Sequence, residues 1–199
     1  MAIEGVEYAR TGVLTAAFAK ARRHRLHFLG AVSGGAVKSN YAHLLALAQS
    51  ANVAGVTDIM CHLFTDGRDA SPTGGADFLA TCAEGLTKSG ASIATVVGRY
   101  YAMDRDRRWE RTKLAWDAIV LGKGQRCDVS PPEAVRAEYA KDVTDEFMPA
   151  LIFSHPDEQR VRDGDVVFFF NFSADRARQL SLAFLENDFD GFPRQTRPA

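Results

Sequence analysis

Four arginines stand out in this sequence, because each follows the end of an apolar segment closely: Arg68, Arg99, Arg105 and Arg176. A guanidinium presents a planar fork of N–H donors that matches a carboxylate or a phosphate. Asp69 adds a carboxylate beside Arg68, able to orient that fork or to accept a proton from a substrate hydroxyl. These residue types predict a site for a small anionic substrate.

The segments that must position these residues alternate between two patterns. Continuous apolar runs predict strands buried on both faces at 26–32, 56–64, 93–97 and 166–172. Helical spacing follows at 41–49, 77–88, 109–120, 132–140 and 175–185, with Ser130 as the N-cap of the fourth of these helices. The turn at 162–165 suggests an antiparallel or edge strand at 151–153 beside 166–172. The expected fold is a three-layer α/β/α sandwich with a mostly parallel sheet and a peripheral hairpin.

Polar or glycine-marked loops follow all four predicted strands, at 33–40, 65–69, 98–106 and 171–176. Ligands of open parallel sheets bind beyond the carboxyl ends of the strands. We therefore expect the four loops to meet at one rim. In the third loop, Asp104 and Asp106 are expected to hold neighbouring arginines, whereas Arg107, Arg108 and Arg111 are expected to be solvated.

The loop from Ser33 to Asn40 combines glycines with Lys38, so its backbone N–H groups and its lysine could face an anion. A tight turn with no ligand is the alternative. The loop is not a P-loop, because Val32 and Val37 occupy the two positions where that motif requires glycine.

Composition excludes several other classes of protein. The 199 residues carry 24 Lys and Arg against 25 Asp and Glu, so no global positive field favours nucleic acid or an anionic membrane. The three cysteines are scattered and the five histidines lack metal-ligand spacing, so we predict no disulfide framework and no metal site. Without a membrane-spanning run or a signal peptide pattern, the expected location is the cytoplasm.

Several segments together closely resemble the cofactor-independent phosphoglycerate mutases, over about residues 26–192. The resemblance lies in Asp-Gly-Arg-Asp at 66–69, Gly-Arg-Tyr-Tyr-Ala-Met-Asp-Arg-Asp at 98–106, Arg-Trp at 108–109, Asp-Glu-Phe at 145–147, Phe-Phe-Asn-Phe at 169–172, Asp-Arg-Ala-Arg-Gln at 175–179 and Asp-Phe-Asp-Gly-Phe at 188–192. It covers the substrate-binding domain that is inserted into their alkaline-phosphatase-like domain. It divides the chain into a helical segment or linker at 1–25, this domain at 26–192 and a tail at 193–199.

The resemblance implies an isomerase of glycolysis that interconverts 3-phosphoglycerate and 2-phosphoglycerate through a phosphoserine. The serine and two manganese or magnesium ions belong to the phosphatase-like domain, which this sequence lacks and which would act in cis or in trans. By position, the four arginines named above would bind the substrate, and Asp69 would act on the glycerate hydroxyl.

Two departures from the family pattern change chemistry. Lys38 stands in place of a catalytic histidine, and Ser173 in place of a substrate-binding arginine. Lysine keeps a positive charge but is not a neutral proton acceptor near pH 7 unless it is strongly desolvated. The alternative hypothesis is therefore a non-catalytic binding or regulatory module with a degenerate site. Nucleic-acid binding through 99–111 ranks below both.

Overall fold

The computed structural model describes residues 12–33, 40–153 and 160–198. Their helices are α1 (Gly12–Ala21), α2 (Tyr41–Val53), α3 (Gly75–Lys88), the short α4 (Arg99–Ala102), α5 (Trp109–Leu121), α6 (Pro131–Tyr139) and α7 (Ala174–Leu185), with a 3-10 turn at Asp145–Phe147. Their strands are β1 (Leu26–Val32), β2 (Ile59–Thr65), β3 (Ala91–Gly98), β4 (Gln125–Arg126), β5 (Leu151–Ile152) and β6 (Val166–Phe169). None of the helices in these ranges is long and apolar enough to cross a membrane.

The six strands form one sheet in the order β4-β5-β3-β2-β1-β6. Every neighbouring pair is parallel except β3 and β5, which run antiparallel. The predicted α/β fold with a mostly parallel sheet is confirmed.

The strand predicted at 151–153 is present, but its predicted neighbour is wrong. β5 pairs with β3 and β4, on the opposite side of the sheet from β6. The turn at 162–165 leads instead into β6, which pairs in parallel with β1. Because β4 and β5 are also parallel, the described strands form no peripheral hairpin. A short strand carries too little pattern to specify its partner, which the packing of the whole sheet selects.

Apolar side chains pack on both faces of the sheet, which explains the continuous apolar runs of β1, β2 and β3. One face carries α1, α2, α3 and α6, and the other carries α4, α5 and α7. On α1, Leu14 and Phe18 are buried, so this N-terminal helix shares the core of the sheet. Helices on both faces give the three layers predicted from the sequence.

A buried polar chain crosses the sheet among these apolar residues. His27 on β1 and His62 on β2 are fully buried, with Nδ1 of His27 2.9 Å from Nε2 of His62. The chain continues from His27 to Asp165 at 3.2 Å and from His62 to Thr95 at 3.0 Å. Burial lowers the pKa of His27 and lowers that of His62 well below its ordinary value.

The strand register brings three loops to one edge. Val32, Thr65 and Gly98, the last residues of β1, β2 and β3, are direct partners across the sheet. Beside them, the side-chain oxygen of Asn171 accepts a 2.8 Å hydrogen bond from the backbone N–H of Ala31 and ties the segment after β6 to the same edge. The chain therefore leaves these strands at one rim.

Candidate functional site

The turn after β2 is organised by the buried carboxylate of Asp66. Its Oδ1 accepts the backbone N–H groups of Arg68 at 3.3 Å and Asp69 at 3.1 Å, which closes an Asx-type turn. Gly67 has φ +66°, and an added Cβ would lie 2.6 Å from the backbone nitrogen of Glu146. The turn exposes 65% of the Arg68 side chain, whose nearest ion-pair partner is Glu146 at 3.9 Å.

Arg99, directly after β3, joins this turn to the neighbouring loop. Its side chain is only 4% exposed, and its Nη1 donates to Asp66 and, at 2.9 Å, to Asp69. Burial alone would lower the pKa of Arg99, but the hydrogen bonds to Asp69 and Asp66 outweigh burial and raise it. Arg99 thus holds in place the carboxylate that the sequence marks as catalytic, Asp69.

The loop at 103–108 is built around Asp104, which is buried. Its Oδ2 accepts the backbone N–H groups of Asp106 at 3.0 Å and Arg108 at 2.9 Å, and the side-chain amide of Gln179 at 3.0 Å. Burial would raise the pKa of Asp104, but these hydrogen bonds lower it. Asp106 accepts a 2.6 Å hydrogen bond from the Arg108 guanidinium. Both aspartates therefore contact neighbouring arginines, as the sequence predicts.

The N-terminus of α7 brings the remaining predicted residues to this loop. Arg105 donates to Asp175 at 3.1 Å, and Nη1 of Arg176 donates to the carbonyl of Met103 at 2.9 Å. Ser173, the N-cap of α7, donates its hydroxyl to Asp175, whose pKa falls to about 2 because of the hydrogen bonds from Ser173 and Arg105. Nε of Arg176 is buried and has no hydrogen-bond partner in the described part of the chain.

These elements enclose a cleft of about 120 Å³. Its lining residues are Arg68, Arg99, Tyr100, Met103, Asp104, Asp106, Arg108, Arg111, Glu146 and Arg176. Burial lowers the pKa of Arg176, and the positive charges of Arg99, Arg105 and Arg68 lower it further, so the four predicted arginines share one local field. We refer to this space as the arginine cleft.

The sequence prediction missed part of the cleft wall. Arg111 was expected in solvent, but its side chain is 21% exposed and its guanidinium carbon lies 3.7 Å from the centroid of the Tyr100 ring. The expectation of a solvated Arg111 is therefore wrong. Arg111 is the third residue of α5, ten residues before the helix ends, and no local sequence pattern marks it as part of a site. Only tertiary packing brings α5 against the loop after β3. Lys38 lies outside the described residues.

The arginine cleft is chemically suited to anions and unsuited to cations, because arginines supply half of its lining. Across residues 12–33, 40–153 and 160–198, no three His, Cys, Asp or Glu side chains gather in a way that could hold a metal ion. The described residues therefore offer no donor set for the manganese or magnesium pair, which the family resemblance places in the phosphatase-like domain and not in this one.

The chain is similar to one family model and to several known proteins. The family model described as the BPG-independent PGAM N-terminus matches residues 1–199. Proteins named 2,3-bisphosphoglycerate-independent phosphoglycerate mutase are similar to the chain: that of Akkermansia muciniphila is 56% identical over 99% of the chain, and that of Moorella thermoacetica 45% identical over 97%.

A solved structure is also similar. The phosphoglycerate mutase of Leishmania mexicana, crystallised at low cobalt concentration, matches 98% of the chain with a TM-score of 0.88 and 28% identity. The chain covers 38% of the length of each of these three relatives. It therefore belongs to the family of BPG-independent phosphoglycerate mutases and corresponds to their N-terminal domain.

Proposed function

We propose that this domain binds phosphoglycerate in the arginine cleft, as the substrate-binding domain of a mutase that interconverts 3-phosphoglycerate and 2-phosphoglycerate. The observation that carries the proposal is the meeting of Arg68, Arg99 and Arg176 in one cleft, with Arg105 beside them. The buried Nε of Arg176, without a partner among described residues, is a donor that an anionic ligand would satisfy.

Asp69 is the residue of this domain that we assign to proton transfer. Its carboxylate is partly exposed, at 26%, and is held at 2.9 Å by a buried arginine. A carboxylate fixed in this way can accept the proton of a substrate hydroxyl that comes within hydrogen-bond reach. Transfer of the phosphoryl group itself is assigned to the phosphatase-like domain, in cis or in trans, with its serine and its manganese or magnesium ions. The proposed location is the cytoplasm, where glycolysis takes place.

One observation favours the second candidate, a binding or regulatory module without catalysis. Ser173 occupies the position at which the family resemblance places a substrate-binding arginine, and its hydroxyl is bonded to Asp175. Position 173 therefore adds no cation to the cleft. The two candidates can be distinguished by the turnover of a complete mutase that carries Ser173 and of its Ser173→Arg variant. Full turnover with serine at this position would exclude the degenerate module.

Binding of 3-phosphoglycerate to the purified chain, measured by isothermal titration calorimetry, tests the main proposal. Loss of one charged hydrogen-bonding group costs about 1.5–3 kcal/mol, so Arg176→Met should weaken binding roughly tenfold to hundredfold. Arg178→Met is the matched control, since Arg178 lies on the same helix but is exposed and outside the cleft lining. Equal affinities of the Arg176→Met and Arg178→Met variants would contradict the proposed site.

A further inference from the structure

Gln179 is a buried amide on α7 that is bonded to two other parts of the chain. The residue is 4% exposed. Its Oε1 accepts the backbone N–H of Arg107 at 2.6 Å, and its Nε2 donates to Oδ2 of Asp104 at 3.0 Å and to the hydroxyl oxygen of Thr112 at 2.8 Å. A backbone N–H can only donate and a carboxylate can only accept, so these partners fix the orientation of the amide. Gln179 therefore ties α7 both to the loop at 104–108 and to α5.

Arg107, whose N–H is bonded to Gln179, has an unfavourable backbone conformation. Its φ is +58°, in the left-handed region, and its side chain is exposed. Asp142 is the other described non-glycine residue with a positive φ, and aspartate adopts this region more readily than arginine. The conformation at 107 thus persists only because contacts around it hold it.

Two side chains hold the loop by successive backbone N–H groups. Asp104, a residue of the loop itself, accepts those of Asp106 at 3.0 Å and Arg108 at 2.9 Å. The N–H between them, that of Arg107, donates to Gln179 instead. In this series of three, the bond to Gln179 is the one that comes from another element of the fold.

The loop in this conformation forms part of the wall of the arginine cleft. Asp106 and Arg108, the sequence neighbours of Arg107, both line the cleft, whereas Arg107 does not. Gln179 lies one helical turn after Arg176, which lines the cleft from α7. A rotation of φ at 107 into the ordinary negative range would turn Asp106 and Arg108 relative to each other. The geometry of this wall therefore depends on the bond to Gln179.

We propose that Gln179 is a positioning residue of the arginine cleft, which holds Arg107 in the left-handed conformation and so keeps the loop at 104–108 in the form that binds phosphoglycerate. The inference rests on the function proposed above and concerns a residue outside the cleft lining. Without the bond to Gln179, a negative φ at 107 is favoured. If only a fraction of the molecules then has the binding form of the loop, the apparent affinity falls by that fraction.

Two variants of Arg107 test the inference without disturbing the buried amide. Arg107→Gly and Arg107→Val remove the same exposed charge, but glycine adopts a positive φ freely whereas β-branched valine resists it. Binding of 3-phosphoglycerate to the whole chain is measured by isothermal titration calorimetry. We expect the glycine variant to bind about fivefold or more tighter than the valine variant.

Gln179→Met tests the amide itself. Methionine keeps an unbranched side chain and removes the three hydrogen bonds, so binding should weaken about tenfold. Addition of Arg107→Gly to this variant should restore most of the affinity, because glycine needs no external support at this φ. Loss of packing between α7 and α5 would not be repaired by a glycine at 107.

Thr112→Val is the matched control. It removes one hydrogen bond of the same amide on the side of α5 and leaves the bond to Arg107 in place. Its urea midpoint should therefore fall, while its affinity for 3-phosphoglycerate stays within about twofold of that of the unmodified chain.

Three results would overturn the inference. These are equal affinities of the two Arg107 variants, a Gln179→Met variant that binds as tightly as the unmodified chain, or a loss of affinity in Gln179→Met that Arg107→Gly does not restore. If Gln179→Met does not fold, the comparison of glycine with valine at 107 decides. An unmodified chain that does not bind 3-phosphoglycerate refutes the proposed function itself, so the two failures can be told apart.

Discussion

Replacement of Arg99 by methionine tests how the site is held together. Arg99 is 4% exposed and bonds to Asp66, whose side chain is 3% exposed, and to Asp69, which is 26% exposed. The replacement leaves Asp66 as a buried carboxylate without a cation, while one of its oxygens already lacks a partner among described residues. Breaking a buried pair in this way costs about 3–5 kcal/mol, so Arg99→Met should lower the free energy of unfolding by that amount.

The double variant Arg99→Met with Asp66→Asn separates this charge effect from lost packing. Asparagine keeps an oxygen for the turn N–H groups and removes the uncompensated charge, so urea denaturation should show a large part of the stability regained. Arg105→Met is the control: Arg105 and Asp175 are 54% and 37% exposed, and exposed pairs contribute at most about 1 kcal/mol. Two results would refute the reasoning: an Arg99→Met variant as stable as the Arg105→Met variant, or a double variant whose free energy of unfolding is lower than that of Arg99→Met alone.

Two other predictions concern the sheet and its rim. Burial lowers the pKa of His27 and His62, so below about pH 6.5 the unfolded chain takes up protons at these residues while the folded chain does not. The free energy of unfolding should therefore decrease as the pH is lowered, by up to roughly 1.4 kcal/mol per pH unit for each histidine, until its folded pKa is reached. Urea midpoints that stay constant between pH 7 and 5 would contradict this. Gly67→Ala should lower the free energy of unfolding by about 2–4 kcal/mol, because Gly67 has a positive φ and an added Cβ would lie 2.6 Å from the backbone of Glu146. Gly55 also has a positive φ, but the nearest contact of an added Cβ is at 3.7 Å, so Gly55→Ala should lower it by only about 1 kcal/mol in the same denaturation assay.

The elements that carry the site could be predicted from the sequence with little error. The first predicted strand, 26–32, coincides with β1, and the helix predicted at 109–120 differs from α5 by one residue. Strands buried on both faces give continuous apolar runs, and helices give a spacing of three to four, so these patterns are local. The predicted N-cap at Ser130 is likewise present, in a capping box with Glu133.

The neighbours of each element could not be predicted in the same way. The pairing of 151–153 with 166–172 was wrong, because a strand of two residues has no pattern that names its partner. Arg111 was assigned to solvent, because its contact with Tyr100 depends on how α5 packs against the sheet. The binding and catalytic roles of the predicted site residues stay predictions until the binding experiments are done.

By itself the sequence determined that Arg68, Arg99, Arg105 and Arg176 lie in segments that follow strands, since this is a property of short segments. The tertiary structure decided what each arginine does with its charge. Arg99 is hydrogen-bonded to two carboxylates of its own chain, whereas Arg68 and Arg111 form only long ion pairs of 3.9 Å and 3.7 Å. Arg176 lines the same cleft and donates to a backbone carbonyl. The physical reason is that ion pairing depends on distances of 3–4 Å between residues far apart in the sequence, and only folding sets those distances.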